Sequence, residues 1–327
     1  AARIYPTSES DFAFQTTGKV TTLPREVGET GPIFSAGGSL SIEAASIAHH
    51  GWIAAPMGRI RLIGNSTVQG SESIVFLAPG SRLSAVGSDV VSYGQMDENG
   101  IRWLRIDKES DRPDPLILVD EEAPEKHITL EADRVFVSKN AVLDVSGGGT
   151  IFTSLFLPGI EGSVNPITKK GRYVILPTVP EALPGFVSGS TVNEAVTLTG
   201  GAGTVNLTGG TYAFVPEDYA FLPGAVVLED LGAVSSQSGA ASRSTENYPV
   251  VQGVFSVPGT NIADQRPHLF SVRQAADVLR EGNFTIQSLA AGESGSITIA
   301  GSTTILDGTL RARSEERRVG KECATGC

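Results

Sequence analysis

Short alternations of apolar and polar residues, separated by glycine-containing turns, run through most of this chain. The clearest example is Gly38-Ser-Leu-Ser-Ile-Glu-Ala44, in which Leu40 and Ile42 alternate with polar neighbours. The pattern continues to Gly87 in segments of three to five residues, with a glycine every six to ten residues. A period of two predicts half-buried β-strands. Strands this short and this closely spaced favour a parallel β-helix, in which each coil contributes two or three strands.

The same cassette returns near the other end of the chain, where it begins Gly295-Ser-Ile-Thr-Ile-Ala300. In both copies a second short strand follows a glycine, through Ile53 after Gly51 and through Leu310 after Gly308. A looser third copy starts at Ile128. Self-similar units of this kind are the sequence signature of a solenoid.

The alternation also predicts which side chains are buried. Side chains on one face of a strand share a parity, because successive residues point to opposite faces. We therefore expect the aliphatic positions of the first coils to point inward and the intervening polar positions to face water. The inward set is Leu40, Ile42, Ile60 and Leu62, and the outward set is Ser41, Glu43, Arg59 and Arg61.

These patterns predict an all-β protein, a right-handed parallel β-helix with β-rich insertions and one short helix. The rhythm breaks twice, which divides the chain into seven parts. They are an irregular lead-in (1–36), coils (37–87), an excursion of hairpin and loop (88–126), coils (127–149), a β-rich insertion (150–285), coils (286–312) and a tail (313–327).

The two excursions contain three recognisable features: a hairpin, an internal repeat and a helix. The segment from Tyr93 to Leu104 has the residues of a hairpin, with Glu98-Asn99-Gly100 at its turn. A second internal repeat relates Gly171-Arg-Tyr-Val-Ile-Leu-Pro177 to Gly210-Thr-Tyr-Ala-Phe-Val-Pro216. A helix is predicted near 271–282, where Ser271 would cap the first turn and Gly282 would end the last.

The tail differs in composition from everything before it. Arg313–Cys323 is dense in charge, lacks alternation and resembles the conceptual translation of a sequencing-library adapter. Without this segment and Cys327 the chain has no cysteine, which excludes disulfides and thiolate metal sites. Because the sequence starts Ala1-Ala2-Arg3 without a methionine, we expect it to be an internal fragment of a longer protein.

The bulk composition excludes several classes of partner. The formal charge of −11 and a pI of about 4.9 disfavour nucleic acid, because binding phosphate needs a basic face. No apolar run reaches the roughly 18–20 residues that a spanning helix needs. No cofactor-binding motif is present, and the glycines at Gly200-Gly-Ala-Gly203 have no helix after them.

Few residues have the character of a catalytic or metal site. Asp144 is the most interesting carboxylate, but an Asp before Gly147-Gly-Gly149 is most simply a residue that caps the turn. The adjacent His49 and His50 would point to opposite faces of a strand, so they cannot easily bind one ion. The sequence therefore predicts no catalytic residue, no metal ligand and no cofactor.

Three aromatic residues are candidates for a binding surface. Trp52, Tyr93 and Trp103 could form an exposed platform for a sugar or a protein partner. The main interpretation of the same residues is packing in the core or in the hairpin, which is how aromatic side chains are most often used.

Several motifs together resemble the filamentous haemagglutinin family, large bacterial exoproteins exported by two-partner secretion. They are the cassette at 38–44, its Gly-Trp-Ile-Ala-Ala-Pro continuation at 51–56, the hairpin at 92–104, Leu-Asp-Val-Ser-Gly-Gly-Gly at 143–149 with Leu157-Pro-Gly159 after it, and Gly-Thr-Tyr-Ala-Phe-Val-Pro at 210–216 with Tyr-Ala-Phe-Leu-Pro-Gly at 219–224. The resemblance covers residues 37–312.

The resemblance implies a repetitive, non-enzymatic segment of a secreted or cell-surface protein, associated with the outer membrane, that acts in adhesion or in contact with hosts and other cells. It implies an outer-membrane transporter as partner, through a domain outside this fragment, and an unidentified receptor or glycan. Two alternatives stay open. One is a polysaccharide lyase or glycoside hydrolase on the same scaffold, and the other is the passenger of an autotransporter.

Overall fold

The computed structural model describes most of the chain. The described residues are 3–6, 8, 10–24, 33–66, 70–87, 92–96, 103–106, 116–120, 125–148, 150–158, 164–177, 195–198, 207, 209–234, 244, 246–256, 266–290 and 293–314.

Strands dominate the first half of the chain. In order they are β1 (Arg3–Ile4), β2 (Asp11–Gln15), β3 (Lys19–Thr22), β4 (Ser39–Ala44), β5 (Ser46–His49), β6 (Trp52–Ala54), β7 (Arg59–Gly64), β8 (Ile74–Leu77), β9 (Arg82–Ser84), β10 (Ser92–Met96), β11 (Trp103–Ile106), β12 (Leu116–Asp120), β13 (His127–Glu131), β14 (Arg134–Val137) and β15 (Val142–Asp144).

The second half adds longer strands and one short helix. Its elements are β16 (Thr150–Phe156), β17 (Arg172–Ile175), β18 (Ala195–Leu198), β19 (Gly210–Ala213), a 3₁₀ turn (Glu217–Phe221), β20 (Val226–Ala233), β21 (Val250–Ser256), β22 (His268–Gln274), α1 (Ala275–Leu279), β23 (Phe284–Ala290), β24 (Ser296–Ala300), β25 (Thr303–Leu306) and β26 (Thr309–Arg311). The all-β class predicted from the sequence is confirmed.

Three five-stranded parallel sheets contain the alternating segments, and together they are called the stack. Their strand orders are β1-β6-β9-β15-β26 (sheet A), β2-β4-β7-β13-β24 (sheet B) and β3-β5-β8-β14-β25 (sheet C). The chain passes from sheet B to sheet C to sheet A, as in β7, β8 and β9, and then returns to sheet B one strand further along.

Equivalent residues of successive passages lie in register. In sheet B, Ile42, Leu62, Leu130 and Ile299 form one column of neighbouring strands. Ile53, Leu83, Leu143 and Leu310 form a corresponding column in sheet A. The buried members of these columns meet in a single aliphatic core, whereas Leu310, at the end of its column, is exposed. The predicted inward set Leu40, Ile42, Ile60 and Leu62 is buried in this core. Arg59 and Arg61 are exposed, as predicted.

Glycines open the strands of sheet B because neighbouring backbones come very close there. A Cβ added to Gly58 would lie 1.9 Å from the carbonyl oxygen of Gly38, and one added to Gly295 would lie 2.0 Å from that of Lys126. Only a residue without a side chain fits between these backbones. This close approach explains the glycine at the start of the repeated cassette.

The lead-in differs from its prediction as an irregular segment. β1, β2 and β3 pair in parallel with β6, β4 and β5. Ile4, Phe12 and Val20 pack against the aliphatic core. Each of these strands sends so few side chains inward that the sequence shows no readable alternation, and pairing with the next passage of the chain determines their structure.

A fourth sheet has the order β12-β11-β10-β16-β23. It joins the first excursion to β16 and β23, so residues 150–156 and 284–290 pair here and not, as the predicted division has it, within the larger insertion and the coils that follow it. β10 pairs antiparallel with β11, with Gln95 opposite Leu104, which is the pairing of the predicted hairpin. The predicted turn at 98–100 lies outside the described residues.

The larger insertion forms a six-stranded antiparallel sheet, here called the inserted sheet, with the order β17-β20-β22-β21-β18-β19. Its two edge strands are β17 and β19, which begin the two copies of the second internal repeat. An isolated bridge connects Val174 of edge strand β17 with Val215, which lies just beyond β19. Phe270 is fully buried inside, among a core of ten buried residues.

The helix predicted near 271–282 is shorter than expected. Ser271–Gln274 belong to strand β22, and α1 spans only Ala275–Leu279. Ser271 lies opposite Glu229 on one side and Val250 on the other. Pairing on both sides overrides the local helical pattern, because propensity is weak beside tertiary contacts.

The inserted sheet packs on the stack through a third apolar cluster. Ala36 and Met57 of the stack meet Ile167, Val174 and Tyr219 of the insertion there. The Tyr219 hydroxyl donates a hydrogen bond of 2.6 Å to the carbonyl oxygen of Phe34 and accepts one of 3.1 Å from the Ser8 N–H.

Candidate binding cleft

An open cleft of about 540 Å³ lies at one edge of the inserted sheet, and charged side chains line it. Arg172 enters it from β17 and Arg273 from β22. Both arginines are buried, with side chains 5% and 4% exposed. A buried guanidinium must be paired, because removing a charge from water is costly. The partners of these two arginines therefore define the chemistry of the cleft.

Four charges form a closed ring at the base of the cleft. Glu229 Oε2 accepts from Arg172 Nε at 3.3 Å and from Arg273 Nη2 at 2.9 Å, and it lies 3.2 Å from Arg172 Nη2. Glu281 Oε2 lies 3.1 Å from Arg172 Nη1, and its Oε1 lies 2.7 Å from Arg273 Nη1. Each glutamate thus bridges both arginines, and the ring carries no net charge.

Two further ion pairs extend from the ring. Lys169 Nζ donates to Glu229 Oε1 at 3.0 Å, and Glu246 accepts from Arg273 Nη2. The Lys169 and Glu246 side chains are 53% and 61% exposed, unlike the arginines that they surround. The guanidinium carbon of Arg273 lies 4.1 Å from the centre of the Tyr248 ring, in a cation–π contact.

The ionisation of Glu229 reflects this environment. Burial alone would raise its pKa, but the hydrogen bond from Lys169 and the charges of Arg172, Lys169 and Arg273 outweigh that effect and lower it. A general acid for sugar hydrolysis needs a raised pKa instead. Glu229 is therefore suited to holding the arginines in place and unsuited to donating a proton at neutral pH.

Sequence reasoning did not find this cluster. Its members are far apart in the chain, because Arg172 and Arg273 lie 57 and 44 residues from Glu229. The signal is a charged residue that follows a mainly apolar run within a strand, as in Val226-Val-Leu-Glu229 and Leu269-Phe-Ser-Val-Arg273. The order of strands in the inserted sheet is needed to see that these charges meet.

The three predicted aromatic residues have different surroundings and form no common platform among the described side chains. Tyr93 is buried, 7% exposed, and packs in the cluster between the stack and the insertion. Trp52 is half-buried on the outer face of sheet A, where the guanidinium carbon of Arg82 lies 5.1 Å from its ring centre. Trp103 lies in β11, and its side chain is outside the described residues.

Asp144 caps its turn, as the sequence suggests. Its Oδ1 accepts from the Ser146 N–H at 3.2 Å. Its Oδ2 lies 3.5 Å from Arg82 Nη2 and 3.6 Å from Arg311 Nη1, which are on the neighbouring strands of sheet A. The carboxylate thus links three successive passages of the chain.

The two adjacent histidines are held apart, as expected for neighbours in a strand. His49 is buried, with Nδ1 2.6 Å from the Thr22 hydroxyl and Nε2 3.2 Å from the carbonyl oxygen of Arg82. A carbonyl only accepts, so Nε2 donates and Nδ1 accepts. Burial lowers the pKa of His49 to about 4, which keeps the ring neutral. His50 packs edge-on against Phe76.

The described residues contain neither a group of metal ligands nor a membrane-spanning helix. Within the described parts of the chain, no three His, Cys, Asp or Glu residues are grouped so that they could hold a metal ion. The described helical segments include none with the length and apolar character required to cross a membrane.

No protein-family model matches this chain, and neither a curated protein nor a solved structure shows significant similarity.

Proposed function

We propose that this chain is a structural and adhesive segment of a large secreted or surface-exposed bacterial exoprotein of the filamentous haemagglutinin type. The observation that best supports this proposal is the register of the three parallel sheets, in which each passage of the chain adds one strand to each sheet. We infer that the stack is a right-handed parallel β-helix, the hand that parallel crossovers almost always take.

The arrangement suits a protein whose role is reach and contact. Each passage adds about 4.8 Å along the axis, so repetition builds length from a small set of aliphatic contacts. The inserted sheet extends from this scaffold with its own core and an open cleft. Binding surfaces are commonly placed on such excursions, because they can vary while the scaffold stays the same.

The proposed segment has no catalytic activity. The carboxylates lining the cleft, Glu246 and Glu281, are engaged by Arg273, and Asp144 is engaged by Arg82 and Arg311. An outer-membrane transporter, acting on a domain outside this chain, would export the parent protein, and a surface receptor or glycan would be its binding partner.

Two measurements test the adhesive function. Beads coated with the purified chain should bind epithelial or bacterial cells in larger numbers than beads coated with the heat-unfolded chain. Equal binding by both sets would contradict an adhesive role. Incubation with pectin, alginate and similar polymers should release no unsaturated or reducing ends, and their release would favour the lyase or hydrolase alternative.

The architecture has its own test. An experimental structure should show a continuous right-handed winding through β4 to β9 and on through β13 to β15. A left-handed winding would refute the inferred β-helix.

A further inference from the structure

We propose that the cleft of the inserted sheet binds a small carboxylate ligand at Arg273, in the place that the Glu246 side chain occupies in this structure. The inference concerns a specific site and does not depend on the adhesive function. Three observations support it: the net charge of the cleft, the different numbers of ion pairs that its three glutamates make, and the N–H groups that Arg273 can offer to a carboxylate.

The charge balance leaves room for one negative group. Arg172, Arg273, Glu229 and Glu281 neutralise one another within the ring. Lys169 adds one positive charge and Glu246 one negative charge. If Glu246 moves away, the cleft carries a net charge of +1, which a single carboxylate would compensate. A cluster that was neutral without Glu246 would offer no such preference.

The three glutamates differ in how firmly they are held. Glu229 lies on β20 directly opposite Arg172, and it pairs with three cations. Glu281 follows α1 and bridges both arginines. Glu246 lies outside the strands, is 61% exposed and has a single described partner, Arg273. Exposed ion pairs contribute roughly 0–1 kcal/mol, so Glu246 is the carboxylate that a ligand can replace at least cost.

Arg273 has the donors that a carboxylate requires. Replacing Glu246 frees a bond to Nη2, and the adjacent Nε–H is buried without an acceptor among the described residues. Neighbouring N–H groups of a guanidinium bind the two oxygens of a carboxylate side by side. A buried, unsatisfied donor is costly, so a ligand that reaches Nε gains from satisfying it.

The space beside Arg273 suits a ligand of the size of one sugar or amino acid. The cleft of about 540 Å³ is within the roughly 300–1,000 Å³ typical of small-molecule sites. Val164, which is half-exposed, and Pro166 line it and would contact the apolar part of the ligand. The ligand class is therefore a small molecule with one carboxylate, such as a sugar acid or an N-acylated amino acid with an uncharged side chain.

The test is an NMR titration of the full chain with glucuronate, N-acetylalanine and neutral glucose, following the Arg273 Nε–H signal. Removing the internal competitor in Glu246→Gln should lower the Kd for the carboxylates by about fivefold or more relative to the wild-type chain. Glucose should not bind either protein. Whichever carboxylate binds more tightly identifies a sugar acid or an amino acid as the better ligand.

Two further variants keep the result interpretable without altering the buried arginines. Glu72→Gln removes an equally exposed glutamate that pairs with Arg134 on the stack, so it should leave the Kd at the wild-type value. Adding Lys169→Gln to Glu246→Gln removes the surplus positive charge. The double variant should therefore bind the carboxylates with the Kd of the wild-type chain. The proposal is overturned if Glu246→Gln binds no more tightly than Glu72→Gln, if the double variant keeps the gain, or if glucose binds as well as glucuronate.

Discussion

The stack and the inserted sheet are both built from strands, but they are stabilised in different ways. In the stack, aliphatic residues of similar size repeat in register, as in the column Ile42, Leu62, Leu130 and Ile299. In the inserted sheet, the core combines aliphatic residues with Phe255 and Phe270. Tyr173, stacked on Phe214 at 4.4 Å, packs against this core, and a ring of ion pairs lies at one edge. Repetition makes the stack extendable, whereas the unique contacts of the insertion allow one specific site.

This difference predicts that the two regions respond differently to damage. A contact in the stack is one of many equivalent contacts along a column. The ring of ion pairs in the inserted sheet has no counterpart among the described residues of the stack. The following changes test that contrast in order of expected effect.

The largest effect is expected for Phe270→Ala in the core of the inserted sheet. Truncating a fully buried phenylalanine costs about 4 kcal/mol of the free energy of unfolding. Hydrogen exchange should speed up in β17–β22, while the amides of β7 and β13 stay protected. Equal loss of protection in both regions would show that they unfold as one unit.

The free energy of unfolding that is lost when a side chain of the stack is truncated should depend on the position of that residue along its column. Leu130→Ala, between Leu62 and Ile299, should cost about 3 kcal/mol in urea unfolding, because neighbours on both sides hold the cavity open. Ile299→Ala, in the same column but only partly buried, should cost about 1 kcal/mol. Similar values for the two variants would contradict the stacked-column interpretation.

The stack should lose stability in mild acid through His49. Its pKa is about 4 when folded and about 6.5 when unfolded, so between these values the unfolded chain binds more protons. The contribution is complete above pH 6.5 and falls by about 2.5 kcal/mol at pH 4.5. Urea unfolding at pH 7 and pH 4.5 measures the loss.

The matched control is His49→Gln, which has no titrating ring. In this variant, the decrease in the free energy of unfolding between pH 7 and pH 4.5 should be smaller by about 2.5 kcal/mol. Glu229 acts at lower pH, because its lowered pKa makes its contribution disappear only as pH falls below the ordinary range for a glutamate. An unchanged drop in His49→Gln would show that other groups control the acid response.

The smallest effect concerns the ion pairs of the inserted sheet. Glu229→Gln should cost about 2 kcal/mol, less than the 3–5 kcal/mol of a fully buried pair, because the carboxylate is partly exposed. Glu72→Gln, at an exposed pair on the stack, should change the free energy of unfolding by less than about 0.5 kcal/mol. Equal costs would mean that the ring adds nothing beyond surface pairing.

The sequence was informative wherever structure is local and repetitive. The buried positions Leu40 and Ile42 and the glycine at Gly295 could be predicted because each passage of the chain through the three sheets has the same packing requirements. The same residue pattern therefore appears several times in the sequence. The three strands of the lead-in were missed because single inward residues such as Phe12 carry no period. The helix near 271–282 was overestimated because β22 is paired on both sides, which local pattern cannot show.

The amino-acid sequence by itself determined the strand-rich class, the aliphatic columns of the stack and the separation of His49 from His50, since all of these follow from alternation along the backbone. Tertiary structure alone decided the charged cleft of the inserted sheet. Arg172, Glu229 and Arg273 come together only through the strand order of the inserted sheet, and the sequence does not show which of the charged residues in its strands pair with one another. Burial then determines which of these charges is held firmly and which can be exchanged.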